Sequence, residues 1–316
     1  MLGVQSITRR LTMMTAAGAL AAAVTVGSGT LPAAAEVPES SDPIVLALLE
    51  WTGQHVTTYM AGQALERMGY TVEYKTAGSY PSGTATADGD LTATLEVWDN
   101  NMGEFWPKLI EEGKVDTLGS VGLDGGEGFV YPKYVEEMCP GLPAWDAFVK
   151  CSEVFATAET MPNGRFVEYP ADWGARATEL IKGEGLAYDA VPAGSEGALV
   201  AELKSAAEKK QPLVMMFWAP HFILAHVPVG WVDIPNELRD KYSLQKPQML
   251  KFAWPGMKDK WPAAYKFLQA FQIDTDTQQV LMDLVDNQGQ DAREVTAKWL
   301  DEHPDVWKPW VEQAMM

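Results

Sequence analysis

Four tryptophans stand where a large aromatic ring needs a reason. Trp51 follows the apolar run Ile44 to Leu49, Trp98 ends the run that starts at Leu91, Trp173 precedes a helical segment, and Trp218 follows Leu213 to Phe217. Short apolar runs bounded by turn residues read as buried strands. Ligands of parallel sheets bind in the crevice outside the carboxyl ends of the strands, so residues distant in sequence converge there. Several indole faces offer a negative quadrupole and no hydrogen-bond acceptor, and the guest this suits is a bulky, weakly hydrated cation such as a trimethylammonium group. At about 0.5 to 2 kcal/mol per cation–π contact, three or four walls supply roughly 2 to 8 kcal/mol. A ceiling of roughly 1.5 kcal/mol per non-hydrogen atom allows a five-atom ligand about 7.5 kcal/mol, near micromolar affinity. Trp299, Trp307 and Trp310 sit in a helical C-terminal stretch, where packing accounts for them.

Other chemistries lack their usual residues. His55, His221, His226 and His303 form no HExxH motif, and they read as surface or capping residues. Ala193 stands where a GxSxG elbow needs glycine, and neither a Walker loop nor GxGxxG occurs, so no nucleotide or other cofactor is expected. The acids Asp274, Asp276, Asp283 and Asp286 miss the calcium-loop pattern and read as a solvated helix face, so no metal is expected.

The elements that must hold these tryptophans alternate. Strand-like Ile44 to Leu49, Tyr70 to Tyr74 and Leu91 to Trp98 are separated by a helical pattern over Val56 to Met68 and by a Gly/Ser/Pro-rich turn ahead of Asp88-Gly89-Asp90. Alternating strands and helices predict an α/β fold with parallel sheets. The glycine-rich stretch Gly119 to Gly128 predicts a crossing into a second lobe, where Ala171 to Ile181 and Glu196 to Lys209 read as helices. Residues 258–316 read as helical, with Pro262, Pro304 and Pro309 in first turns. No internal repeat is visible.

The chain has 316 residues, 47% of them hydrophobic, and a net charge of -19, which gives enough apolar material for two cores and makes nucleic acid an unfavourable partner. Residues 1–35 read as a signal peptide: Arg9 and Arg10, an apolar stretch from Leu11 to Val26, and Ala33-Ala34-Ala35 before Glu36. Cleavage there predicts a periplasmic protein, by a Sec or a twin-arginine route. In that oxidising compartment the only two cysteines, Cys139 and Cys151, predict one disulfide.

The order and spacing of Glu50-Trp51-Thr52-Gly53, Ala64-Leu65-Glu66-Arg67-Met68-Gly69-Tyr70, Glu96-Val97-Trp98, Asp172-Trp173-Gly174 and Phe217-Trp218-Ala219-Pro220-His221 resemble the substrate-binding proteins of glycine betaine/proline betaine ABC importers. The resemblance spans nearly the whole exported chain. It implies a two-lobed, type II periplasmic-binding-protein fold with the ligand cleft between lobes, here 42–126 with 240–316 and 127–239. It also implies a monomer that delivers a quaternary ammonium to a permease and its ATPase and performs no chemistry. Trp51, Trp98, Trp173 and Trp218 match the family's strand-end aromatics, and Trp254 is a candidate fifth wall where the chain passes back between lobes.

The polar half of the pocket departs from a betaine site. Near the matched motifs stand Glu50 and Glu127, and Gly53 occupies the position where choline sites of the family carry an acid. A glutamate repels a betaine carboxylate but shares a proton with an N-oxide oxygen. Trimethylamine N-oxide is therefore expected ahead of glycine betaine, then choline or carnitine. The rivals are a periplasmic enzyme acting on methylated amines with Glu127 or Glu50 as base, and a sensory subunit with the same pocket.

Overall fold

The computed structural model describes residues 37–316, so the expected signal peptide lies outside the described residues. In chain order the first half runs β1 (Ile44–Leu48), α1 (Thr52–Arg67), β2 (Val72–Thr76), α2 (Ser79–Asp88), β3 (Ala93–Trp98), α3 (Phe105–Glu111) and β4 (Asp116–Ser120). After a crossing through positive-φ Gly122 come β5 (Gly126–Pro132), α4 (Trp145–Lys150), β6 (Gly164–Glu168), α5 (Arg176–Gly183), β7 (Tyr188–Pro192), α6 (Glu196–Lys209), β8 (Met215–Ala219), β9 (Val229–Trp231) and α7 (Asn236–Lys241). The chain then returns as β10 (Met249–Ala253), α8 (Met257–Lys260), α9 (Pro262–Ala270), α10 (Thr275–Met282), α11 (Ala292–Glu302) and α12 (Pro304–Ala314).

Two five-stranded sheets result, ordered β2-β1-β3-β10-β4 and β7-β6-β8-β5-β9. They share one topology although the sequence shows no repeat. Each has three parallel strands on one side, while β10 pairs antiparallel with β3 and β4, and β5 with β8 and β9. The expected purely parallel sheet is thus corrected to a mixed one. β5 and β10 are the strands by which the chain enters each half from the other, and no crossover helix imposes parallel pairing on them. Equivalent strand ends carry equivalent rings: Trp51 follows β1 as Trp173 follows β6, and Trp98 ends β3 as Trp218 lies near the end of β8.

β3 is buried along its whole length, and α1 packs Val56, Met60 and Ala64 over the first sheet. Phe129, Phe148, Phe166 and Tyr188 stack into the core of the second. The Cys139–Cys151 disulfide closes a loop ending at α4 with a sequence separation of 12.

Three local expectations fail. The Gly/Ser/Pro-rich segment before Asp88 is the helix α2, because Pro81 sits in its first turn, where a missing N–H is harmless, and Gly83 lets α2 settle on Phe105 and Trp106. A Cβ at Gly83 would come within 2.6 Å of the Phe105 ring. The helix expected from Ala171 is broken at Gly174 (φ 100°), and α5 starts only at Arg176. Pro309 lies inside α12, whose first position Pro304 already fills.

Candidate ligand-binding site

Trp51, Trp173 and Trp218 come together edge to face, with ring centroids 5.7 Å apart for Trp51 and Trp173 and 5.6 Å for Trp173 and Trp218. Tyr169 closes the group at 5.8 Å from Trp173 and 5.7 Å from Trp218. These four, with Trp98 and Glu127, line one cavity of about 50 Å3. At about 10–15 Å3 of such space per water, it has room for roughly three to five water-sized atoms. Ser79, Tyr80, Asn101 and Asp172 complete its edge.

Register brings Glu127 here: on β5 it faces Trp218 across the antiparallel pair. Its carboxylate is not alone. Arg176 Nη1 lies 2.6 Å from Glu127 Oε2, and Asn100 Nδ2 donates to the same oxygen at 2.6 Å, leaving Oε1 with a single 3.4 Å bond from Asn101 Nδ2. Burial works most strongly against the Arg176 cation, but the charge and hydrogen bond of Glu127, with Tyr169 and Glu168, together outweigh it and hold the guanidinium pKa above its ordinary value. Burial and the same carboxylate push the Tyr169 phenol well above its usual range. Three buried polar atoms around this pair, Tyr169 Oη, Arg176 Nη2 and Asn100 Oδ1, have no hydrogen-bond partner. Buried polar atoms are normally paired, so a cluster of orphans marks a place where something polar is received.

Behind Trp51 lies Glu96, 1% exposed and at φ 59°, a backbone conformation unusual for a residue with a side chain. It accepts hydrogen bonds from Trp51 Nε1 (2.8 Å), Thr57 Oγ1 (2.6 Å) and Gln278 Nε2 (2.8 Å). Burial, opposed by these bonds and by the neighbouring Trp98 indole, raises its pKa to about 7. Gly53 belongs to this arrangement: a Cβ there would stand 3.3 Å from Gln278 Nε2.

Glu50 and Trp254 are placed otherwise. Half-buried Glu50 is not on the cavity lining; it sits behind Ser79, whose hydroxyl donates to it at 3.4 Å, and its pKa is raised by burial and then by Asp172. Trp254 packs over Gly89 and Gly256, away from the cavity.

The two halves are joined beside the box. Glu196, at the start of α6, accepts from Thr52 N (2.9 Å) and Oγ1 (3.3 Å) at the start of α1, and its other oxygen meets His221 Nε2 at 3.1 Å. His226 reaches Asp283 at 2.6 Å, and Thr52 Oγ1 lies closer to Asp286, at 2.8 Å, so its single proton is shared between Asp286 and Glu196. Of the expected solvated acidic face, Asp274, Asp276 and Asp286 are exposed and Asp283 is half-buried. The Asp286 carboxyl points back toward Thr52, its pKa raised to about 6 by desolvation and then by Glu196, and Asp274 caps α10 through Thr277 N. His221 caps the turn after β8 as expected, but it is fully buried. Among the described residues no cluster of three or more His, Cys, Asp or Glu forms a metal site.

The fold is that of two-lobed α/β binding proteins. A choline-binding protein in complex with choline superimposes with a TM-score of 0.76 at 18% identity, covering 88% of this chain and 97% of that one. Lactococcal OpuAC, closed on glycine betaine, gives 0.70 at 19% identity, covering 85% and 99%. Residues 42–302 match the family described as the substrate binding domain of ABC-type glycine betaine transport systems, and the chain belongs to that family. It is also similar to the trimethylamine N-oxide-binding protein of Pelagibacter ubique, 26% identical over 289 residues, which cover 87% of this chain and 92% of that protein.

Of the residues expected from sequence, Trp51, Trp98, Trp173, Trp218 and Glu127 line the cavity and Trp254 and Glu50 do not, while Tyr169, Arg176, Asn100 and the surroundings of Glu96 were not expected. A partial signal existed: Tyr169 and Arg176 flank Asp172-Trp173-Gly174, a strand-end loop already singled out.

Proposed function

We propose that this protein is the periplasmic component of an ABC importer that carries a compact methylated amine. Trimethylamine N-oxide is the favoured ligand and glycine betaine the next. Trp51, Trp98, Trp173 and Trp218 form the cation-binding walls, and Tyr169 completes them. Residues 42–126 with 240–316 act as one lobe and 127–239 as the other, closing as a monomer and presenting the loaded form to a permease and its ATPase.

The observation that carries this reading is a cavity of about 50 Å3 walled by indoles and floored by Glu127. Five non-hydrogen atoms suit that volume better than the eight of glycine betaine. Glu127 Oε1, with its one long bond, repels a ligand carboxylate and accepts from a hydroxyl or a protonated N-oxide. The orphaned Tyr169 Oη supplies a donor for the ligand oxygen. The commitment of Glu127 to Arg176 speaks against its use as a general base in an enzyme, as does family membership. Similarity to the Pelagibacter protein supports the choice of ligand.

Calorimetric titration with trimethylamine N-oxide, glycine betaine, choline and carnitine tests it. Binding in the micromolar range, at most about 7.5 kcal/mol, is expected for the N-oxide, lost in Trp218→Ala and weakened in Glu127→Gln. Absence of heat with all four would sink the proposal, and tighter betaine than N-oxide binding would reverse the ligand order.

A further inference from the structure

We propose that Glu96 is the counter-charge of the tryptophan box, a buried carboxylate behind Trp51 whose ionised form strengthens the hold on a cation, so that ligand uptake expels its proton. The inference rests on the cationic-ligand reading above and names a residue that positions and charges a wall without touching the ligand.

Geometry carries it. All three of its hydrogen-bond partners donate, and one is the indole N–H of a box wall. That bond fixes the Trp51 ring. A full negative charge at the indole N–H also pushes electron density onto the ring face that the cation meets, in a water-excluded site where charges act over longer range. Among the described residues no cation bonds to this carboxylate: β1 carries no charged side chain, and on α2 neither Tyr80 nor Asp88 bonds to it. On α1 it faces Thr57, while His55 turns to the Leu49 carbonyl and Arg67 to Gln63, Ala297 and Asp301. On α10 it faces Gln278, with Asp274 engaged by Thr277 and Asp276 not bonded to it. On β10 the buried Lys251 points to the carbonyls of Gln269 and Phe271. The positive group left to neutralise Glu96 is the ligand.

Burial places its titration at about 7, where physiological pH acts on it. The sign follows from linkage. The empty protein holds the proton below about pH 7, a bound cation favours the ionised form, and affinity therefore rises with pH and levels off once the carboxylate is ionised without ligand. If the cation lowers the carboxyl pKa by about one unit, affinity increases roughly fivefold between about pH 6 and about pH 8.

The purified protein is titrated with choline, whose charge is fixed, and with trimethylamine N-oxide at about pH 6, 7 and 8 in buffers of different ionisation heat. The expected result is that rise, with proton release at the lower pH. Without ligand, the Trp51 indole N–H resonance, assigned by its loss in Trp51→Phe, should titrate with a midpoint near 7. Glu96→Gln should flatten both profiles, and Gln278→Ala, which removes one donor to the anion, should move the midpoint to higher pH. The Gln278→Ala shift keeps the test decisive if Glu96→Gln does not fold. Binding that is independent of pH in the parent protein, or a profile that survives in Glu96→Gln, overturns the inference and leaves the amine-binding reading standing. No binding at any pH removes both, even where the indole resonance titrates.

Discussion

Glu127 is half of a buried pair, and its partner decides what it can do. With Arg176 at 2.6 Å the carboxylate is paired, and the floor of the cavity is an ion pair with spare donors around it. Removing one member of such a pair strands the other. Arg176→Met should cost about 3–5 kcal/mol in denaturant unfolding, and adding Glu127→Gln should recover much of that loss. The aromatic half of the pocket was legible because strand ends announce themselves: an apolar run stops and a tryptophan follows. The polar half was not, since Arg176 meets Glu127 only after Gly174 breaks the expected helix and β5 pairs with β8. Glu96 stands in the motif Glu96-Val97-Trp98, yet neither its burial nor its left-handed backbone has a sequence signal.

Among the elements, α6 was read with its correct ends, because Ser195 caps it by accepting from Ala198 N, a local signal. α2 was misread because its local chemistry says turn and its tertiary contacts say helix. Its formation matters to the pocket, as Ser79 and Tyr80 enter the lining from its first turn. Gly83→Leu should push α2 off Phe105 and Trp106, cost about 1–3 kcal/mol of stability by overpacking, and weaken ligand binding in the same titration. Unchanged affinity at reduced stability would show that α2 merely borders the cavity.

At the scale of the whole molecule, carboxylates and hydroxyls tie the halves together beside the aromatic contact of Trp51 with Trp173. Glu196 joins the N-termini of α1 and α6, where the unpaired N–H groups and helix dipoles both favour an anion. Glu196→Ala should lower ligand affinity about tenfold by making the closed form less favourable, and small-angle scattering of the unliganded variant should show a larger radius of gyration than the parent protein. Equal radii would place Glu196 outside the closing equilibrium. The repeated sheet topology reaches further. Each half contributes one indole after one strand and one near the end of another, so parting the halves leaves a guest with two indoles in place of four. On the proposed reading, that forfeits roughly 1–4 kcal/mol, a five- to thousandfold faster escape, with no change inside either half. A carrier built this way is unloaded by being pulled apart, and whatever receives the cargo needs to grip the two backs and never reach the pocket.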